Sequence, residues 1–185
     1  MVELAMEQDF PVYREVGTLF QGCAEVTTGN TAEGMSLLRN SLIAYRASGT
    51  KVWMPYHIAL LVNACEISGQ IEEAEELLDE ASQIIERTGE RLLEPELHRH
   101  KGELLLRQGH STAAEELYRK ALCTAREQQA KLWELRAAVS LARLRRAQDR
   151  RVEARDLLTP VYGWFTEGFG TLDLKEAKAL LDELT

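Results

Sequence analysis

Histidine, the side chain most often used for metal binding and for proton transfer at neutral pH, is rare in this sequence. The four histidines are His57, His98, His100 and His110. Only His98 and His100 are close together, and a separation of two residues directs them to different faces of a helix. Zinc needs ligands that converge from suitable spacings, so we expect no metal site. No Ser, His and Asp order or Cys and His order indicates a catalytic set. We therefore predict a protein that is not an enzyme and that needs no cofactor.

The three cysteines, Cys23, Cys65 and Cys123, are odd in number and far apart. This spacing is typical of reduced core thiols and not of a disulfide framework, which favours a cytoplasmic protein. A glycine-rich stretch between Gly163 and Gly170 lacks the lysine of a phosphate-binding loop and follows no strand. It therefore does not predict nucleotide binding.

Arginine is concentrated towards the end of the sequence. The cluster consists of Arg136, Arg143, Arg145, Arg146, Arg150, Arg151 and Arg155. A guanidinium group offers a planar fork of donors that matches a carboxylate, so the cluster predicts a site for an acidic or C-terminal peptide segment. The alternative is a set of solvated faces on which the arginines pair with Glu134, Asp149 and Glu153.

The overall charge and composition limit the other classes of function. The formal net charge is −8, which argues against nucleic acid as the partner; a reader of nucleic acid would have to show a steep salt dependence of binding. No run of 18 apolar residues predicts a membrane span. The acidic start of the chain does not have the pattern of a secretory signal.

Small, large and turn-forming residues return every 40 residues. Turn glycines stand at Gly29, Gly69 and Gly109, and Asp149 takes the fourth place, where we expect a left-handed backbone or a looser turn. Small residues recur at Gly34, Ala74, Ala114 and Ala154, and at Ser41, Ala81, Ala121 and Val161. Large residues recur at Leu38, Leu78, Tyr118 and Leu158. A fixed period of this size indicates stacked supersecondary units, each of which cannot bury its own apolar face alone.

Helical spacing of apolar residues continues through every unit, and no strand pattern appears. We predict four helical hairpins at about 11–49, 50–89, 90–129 and 130–168, a capping helix at 171–184, and a tail of a preceding unit at 1–10. Capping boxes are predicted at Asn30 with Glu33, at Thr112 with Glu115 and at Asp173 with Glu176. Trp53, Trp133 and Trp164 are predicted to be packing residues. The predicted fold is all-α, a right-handed superhelix of helical hairpins.

The spacing of Gly69, Ala74, Leu78 and Ala81, repeated at Gly109, Ala114, Tyr118 and Ala121, resembles the second-helix signature of the tetratricopeptide repeat. The resemblance covers roughly residues 11–167 and differs in two respects. The period is 40 and not the usual 34, which predicts longer helices. In the first helices only Gly102 matches the glycine column of the family, and Val62 takes the equivalent place one unit earlier.

This resemblance implies a protein-interaction scaffold that binds a protein or peptide along the concave wall of the first helices. The residues carried over to that wall are Tyr56, Ala59, Asn63, Glu66, Glu96, Arg99, Glu103, Arg107, Arg136, Val139, Arg143 and Arg146. The first helical hairpin, at about residues 11–49, also has an exposed end with apolar surface through which two chains could form a homodimer.

Two stretches, residues 94–106 and 153–165, resemble segments of large bacterial signalling ATPases, some of them joined to an adenylate-cyclase-like domain. That likeness implies the carboxy-terminal repeat arm of such a regulator, or a freestanding relative. It leaves open an effector-sensing arm that binds a small molecule in the groove. An effector that binds only the folded state would raise the thermal stability of the chain. Such stabilisation by a small molecule would distinguish the effector-sensing arm from a scaffold.

Overall fold

In the computed structural model, which describes residues 2–185, every regular element is an α-helix, as the sequence predicts. The helices are α1 Val2–Glu7, α2 Pro11–Thr28, α3 Thr31–Ala47, α4 Met54–Ser68, α5 Ile71–Thr88, α6 Glu94–Arg107, α7 Ser111–Glu127, α8 Lys131–Ala147, α9 Arg151–Tyr162 and α10 Leu172–Glu183. Four hairpins follow one another, α2 with α3, α4 with α5, α6 with α7 and α8 with α9. We call α2, α4, α6 and α8 the first helices of these hairpins.

The helices form two compact units, unit 1 (Met1–Arg91) and unit 2 (Leu92–Thr185). In unit 1, α1 packs on α2, and α4 contacts both α2 and α3. In unit 2, α8 contacts both α6 and α7, and α10 packs on α8 and α9. First helices therefore lie beside one another inside each unit. The repeat boundaries and the origin of residues 1–10 stay predictions.

The 40-residue period is present in the backbone as a series of left-handed residues. Between the two helices of the hairpins these are Gly29, Gly69, Gly109 and Asp149, with φ of 99°, 74°, 86° and 61°. After the second helices they are Gly49, Gly89 and Gln129, and Asp9 begins this series. The left-handed backbone expected at Asp149 is confirmed. Asn and Asp tolerate this conformation better than other residues with a Cβ, which explains why a turn of the same kind forms there without glycine.

The predicted capping boxes are wrong, because α3, α7 and α10 have no side-chain cap hydrogen bond. The side chain of Asn30 does not cap α3; its Nδ2 donates a hydrogen bond to Oε2 of Glu25 at 2.7 Å. The residues at the starts of α7 and α10 are His110 and Thr171, and neither makes a side-chain cap. Glu115 pairs with Arg150, which directly precedes α9, and Asp173 pairs with Arg136 of α8.

Within the first and third hairpins, the two helices approach so closely that only glycine fits at the crossing. A Cβ on Gly22 would lie 2.8 Å from Cγ of Leu38, and a Cβ on Gly102 would lie 2.6 Å from Cε1 of Tyr118. The two pairs occupy equivalent positions two periods apart, so the prediction that Gly102 alone matches the glycine column is wrong and Gly22 belongs to it as well. Tyr118 is fully buried although it is the largest residue of its column, because Gly102 leaves room for its ring.

Two predictions about the core are wrong. Cys123 is exposed, whereas Cys65 is buried and Cys23 is partly buried. Trp53 and Trp164 were predicted to pack in the core, but 49% and 57% of their surface is exposed. Trp53 immediately precedes α4 with a left-handed backbone, φ 62°, which removes it from the apolar stripe that begins at Met54.

The contact between Gly102 and Tyr118 predicts that the effect of Gly102→Ala on the free energy of unfolding changes sign with the residue at position 118. We expect Gly102→Ala to lower the free energy of unfolding by about 1–3 kcal/mol, because the added methyl group overpacks against the Tyr118 ring. In a Tyr118→Leu background the same change should raise it by up to about 1 kcal/mol, because alanine is the better helix former once the ring is gone. Urea unfolding of the four proteins of this cycle measures both effects, and the same sign in both backgrounds would contradict the packing account.

Candidate interaction surface

The predicted wall residues of unit 2 come together around a buried carboxylate. Only 3% of Glu96 is exposed, and it lies at the start of α6. Nε and Nη2 of Arg99 donate hydrogen bonds to its two oxygens at 2.9 and 3.1 Å, and Nη1 of Arg136 from α8 donates to Oε2 at 3.3 Å. His100 Nε2 lies 3.9 Å from Oε2 of the same carboxylate. A buried charge is stable only with such partners.

Burial opposes the ionisation of Glu96, yet the charge and hydrogen bonds of Arg99, with His100 and Arg136, lower its pKa to about 2. The carboxylate therefore stays charged through the whole physiological range. Its role is to hold α6 and α8 together, because Arg136 reaches it from the neighbouring first helix. This is an internal use of a predicted wall residue.

The arginines of α8 are paired with carboxylates of α10. Arg136 donates to both oxygens of Asp173 at 2.6 and 3.1 Å, and Arg143 donates to Glu176 at 2.7 Å. Arg146 pairs with Glu183. These three arginines thus lie on one face, and an acidic helix of the same chain lies against it. Arg145 and Arg150 of the predicted cluster lie instead beside Glu115 of α7.

One pair of the solvated-face alternative forms, Glu153 with Arg150, whereas Glu134 pairs with residues outside the predicted arginine cluster. Glu134 binds Arg126 and Lys131. Of the remaining predicted wall residues of unit 2, Val139 is buried in α8, and Glu103 and Arg107 lie further along α6. Glu103 accepts a hydrogen bond from Ser140 of α8 at 2.7 Å, and Arg107 is exposed near the end of its helix.

The first-helix face of unit 1 is aromatic. Among the predicted residues there, Tyr56 is partly buried, Asn63 is exposed and Glu66 is buried. The Tyr56 ring lies 6.4 Å from Phe20 of α2 and 6.3 Å from Trp53, measured between ring centroids. Phe20 and Trp53 are 43% and 49% exposed. We call Phe20, Trp53 and Tyr56 the aromatic patch.

The backbone under Trp53 is held in place by buried neighbours. The hydroxyl of Tyr45 donates a hydrogen bond to the carbonyl of Val52 at 2.5 Å, and the ring of Tyr45 lies 4.3 Å from that of buried His57. The amide of Met54 donates to the carbonyl of Lys51 at 3.3 Å. A bulky residue in the left-handed region costs about 1–3 kcal/mol and persists only where its surroundings impose it. Trp53 is therefore presented to solvent in a fixed position.

Sequence reasoning found Tyr56 but missed Phe20 and Trp53. Phe20 has the helical spacing of a core residue, and Trp53 lies in the same column as Leu93, which is buried. These two equivalent residues differ in backbone conformation, because Leu93 has φ −91° and Trp53 has φ 62°. The sequence offers no signal that separates them, because Pro55 follows Trp53 at the same distance as Pro95 follows Leu93.

The cysteine thiols, the metal-ligating side chains and the apolar helices were also compared with what catalysis, metal binding and membrane insertion require. Burial raises the pKa of Cys23 to about 11 and that of Cys65 to about 12, so both thiols are protonated at neutral pH. Within residues 2–185, no three His, Cys, Asp or Glu side chains gather as a metal ion would require. None of the helices in that range combines the length and apolar character needed to cross a bilayer.

The Glu96 network predicts a specific pH dependence of stability. The folded pKa of about 2 lies below the ordinary value of 4.5, so the carboxylate stabilises the fold above pH 4.5 and this contribution is lost as the pH falls towards 2. Glu96→Gln should therefore lower the free energy of unfolding by about 3 kcal/mol at pH 7, because two arginines lose their buried counter-charge. The difference from wild type should shrink below pH 4.5.

Urea unfolding between pH 7 and pH 2.5 measures this difference. Glu116→Gln removes an exposed carboxylate from the neighbouring helix and is the matched control. A Glu96→Gln deficit that stays constant with pH would show that Glu96 does not act through its charge.

Comparison with known proteins supports the repeat fold. The sequence model of the tetratricopeptide repeat matches residues 56–127, which include the first helix that carries Tyr56. A search of curated protein sequences gives no match. Among solved structures, a kinesin light chain type protein from Podosopora anserina with nearly identical TPR-like repeats shares 19% identity at a TM-score of 0.67, covering 94% of this chain and 85% of that one.

BtubC (BKLC) from P. vanneervenii is similar to the same extent, with 14% identity, a TM-score of 0.68, and coverage of 98% of this chain and 83% of that one. Identities this low show the fold alone. With the 40-residue period, the glycine crossings and the repeat match over residues 56–127, they show that the chain has a tetratricopeptide-like repeat fold.

Proposed function

We propose that this chain is a non-catalytic protein-interaction module that binds a protein or peptide segment on the first-helix face of unit 1. Tetratricopeptide-like repeats generally mediate interactions between proteins. The observation that carries the proposal is the aromatic patch, in which the Tyr56 ring lies 6.4 Å from that of Phe20 and 6.3 Å from that of Trp53, and the latter two rings are about half exposed.

Exposed aromatic side chains of this kind are suited to binding. Tryptophan and tyrosine dominate the residues whose truncation costs most at protein interfaces, because each buries a large area with few rotatable bonds. Trp53 is held by its left-handed backbone and by the Tyr45 hydrogen bond to Val52. Little entropy would then be lost when a partner orders it.

We call Arg136, Arg143 and Arg146 of α8 the arginine wall of unit 2. This wall supports the acidic-partner hypothesis less strongly than the aromatic patch supports binding at unit 1. Arg136, Arg143 and Arg146 bind the carboxylates of α10, so an acidic segment fits them chemically. An external segment would have to displace α10. That helix buries Leu174, Leu180 and Leu184 in the core of unit 2, and exposing such side chains costs about 1.5–3 kcal/mol each. The aromatic patch needs no such displacement.

Self-association is a second use proposed for unit 1. Leu4 and Met6 of α1 and Phe10 and Tyr13 at the start of α2 are each more than half exposed, which favours a homodimer through this end of the unit. Membership of a bacterial signalling ATPase, a cytoplasmic location and an effector-sensing role stay predictions from the sequence.

A capture experiment tests the proposed surface. We expect Phe20→Ala with Trp53→Ala to reduce partner capture from a lysate of the native organism by at least about tenfold, because the two rings supply the main apolar anchors. Quantitative mass spectrometry of the captured proteins is the measurement. Trp164→Ala removes a tryptophan of unit 2 that is equally exposed and should leave capture unchanged.

The charge reversals Arg143→Glu and Arg146→Glu complete the set. Loss of capture in these variants, with capture retained in the Phe20 and Trp53 variant, would contradict the proposed surface and support the acidic-partner hypothesis. Thermal unfolding of all variants establishes that each is folded. Recovery of the chain itself, dependent on Phe10 and Tyr13, would identify self-association.

A further inference from the structure

The acidity of this protein is confined to unit 1. Residues 1–91 contain 15 acidic and six basic side chains, a formal charge of −9, whereas residues 92–185 contain 15 acidic and 16 basic side chains. The aromatic patch therefore lies on a unit with a strong negative field of its own. Such a field attracts cationic partners and raises the rate at which they associate.

The three tryptophans differ in whether a cation lies over the ring. The guanidinium carbon of Arg136 lies 5.1 Å from the Trp133 centroid, and Nζ of Lys131 lies 5.6 Å from that of Trp164. Among residues 2–185, no cation lies over Trp53. An exposed indole face is the best aromatic platform for a cation, and arginine is the side chain most often found on it.

Building on the proposed function, we infer that the aromatic patch binds an arginine-bearing, basic peptide segment of the partner. One guanidinium of the segment stacks on Trp53 and occupies the place that Arg136 and Lys131 take over the other two tryptophans. Apolar side chains of the segment contact Phe20 and Tyr56. The negative charge of unit 1 supplies the long-range attraction.

Of two charges near the loop before α4, Glu90 favours this chemistry and Lys51 is the exception. Burial and the carboxylate of Glu90 together raise the pKa of Tyr45, which supports the backbone under Trp53. Negative charge thus lies near the loop. The exception is Lys51, an exposed cation two residues before Trp53, which opposes a basic ligand. Replacing Lys51 with an acidic residue should therefore increase the affinity for a basic peptide, which gives a test through tighter binding.

Two peptides of about 12 residues test the inference. They share leucine and proline residues and differ only in whether four positions are arginine or citrulline, which keeps the shape of arginine without its charge. Fluorescence anisotropy with the full chain at about 0.15 M salt gives both dissociation constants. We expect the arginine peptide to bind at least about tenfold more tightly, since charge and ring stacking act together.

Protein variants distinguish the patch from general attraction to an acidic protein. Trp53→Ala should weaken binding of the arginine peptide about tenfold, Trp164→Ala should have no effect, and Lys51→Glu should strengthen binding about threefold. Equal binding by Trp53→Ala and wild type would overturn the inference, because the attraction would then be nonspecific. Circular dichroism of each variant shows that the fold is retained.

The outcomes separate this inference from the proposed function. If both peptides bind with similar affinity and both lose binding in Trp53→Ala, the surface is correct and the basic partner is wrong. If neither peptide binds and native capture is independent of Trp53 and Phe20, both proposals fall. A second copy of the chain as the occupant would appear as a dimer in analytical ultracentrifugation that Trp53→Ala abolishes, which also overturns the inference.

Discussion

Two helix pairs in this protein come so close together that a single added carbon atom would collide with the partner helix. At Gly22 and Gly102 the missing side chain admits Leu38 and Tyr118, and the two positions are two 40-residue periods apart. In these two hairpins the steric constraint determines which face of the first helix packs on the second helix. The opposite faces are left for other interactions, and the chemical differences between the two units lie on those faces.

The two units use their first-helix faces in different ways. In unit 2 the face is closed by charge pairs: Glu96 is buried among Arg99 and Arg136, and the arginines of α8 bind carboxylates of α10. Such pairs hold helices in register and leave few groups for a partner. In unit 1 the same kind of face carries half-exposed rings, Phe20 and Trp53, on either side of Tyr56.

Sequence reasoning predicted what depends on local periodicity. The turn residues, including Asp149, and the small and large columns follow from 40-residue spacing. It failed where a side chain chooses among distant partners. Asn30 binds Glu25 in place of capping its helix, and Asp173 binds Arg136. Trp53 was missed because its exposure depends on one backbone angle that no composition or period encodes.

The central claim is that the first-helix face of unit 1, and not the arginine wall of unit 2, is the binding face. Hydrogen–deuterium exchange of the full chain, with and without its captured partner, tests this claim most directly. Binding at the aromatic patch stabilises the helices beneath it, so exchange should slow across residues 11–28 and 54–68. Protection confined to residues 131–147 and 172–183 would contradict the account.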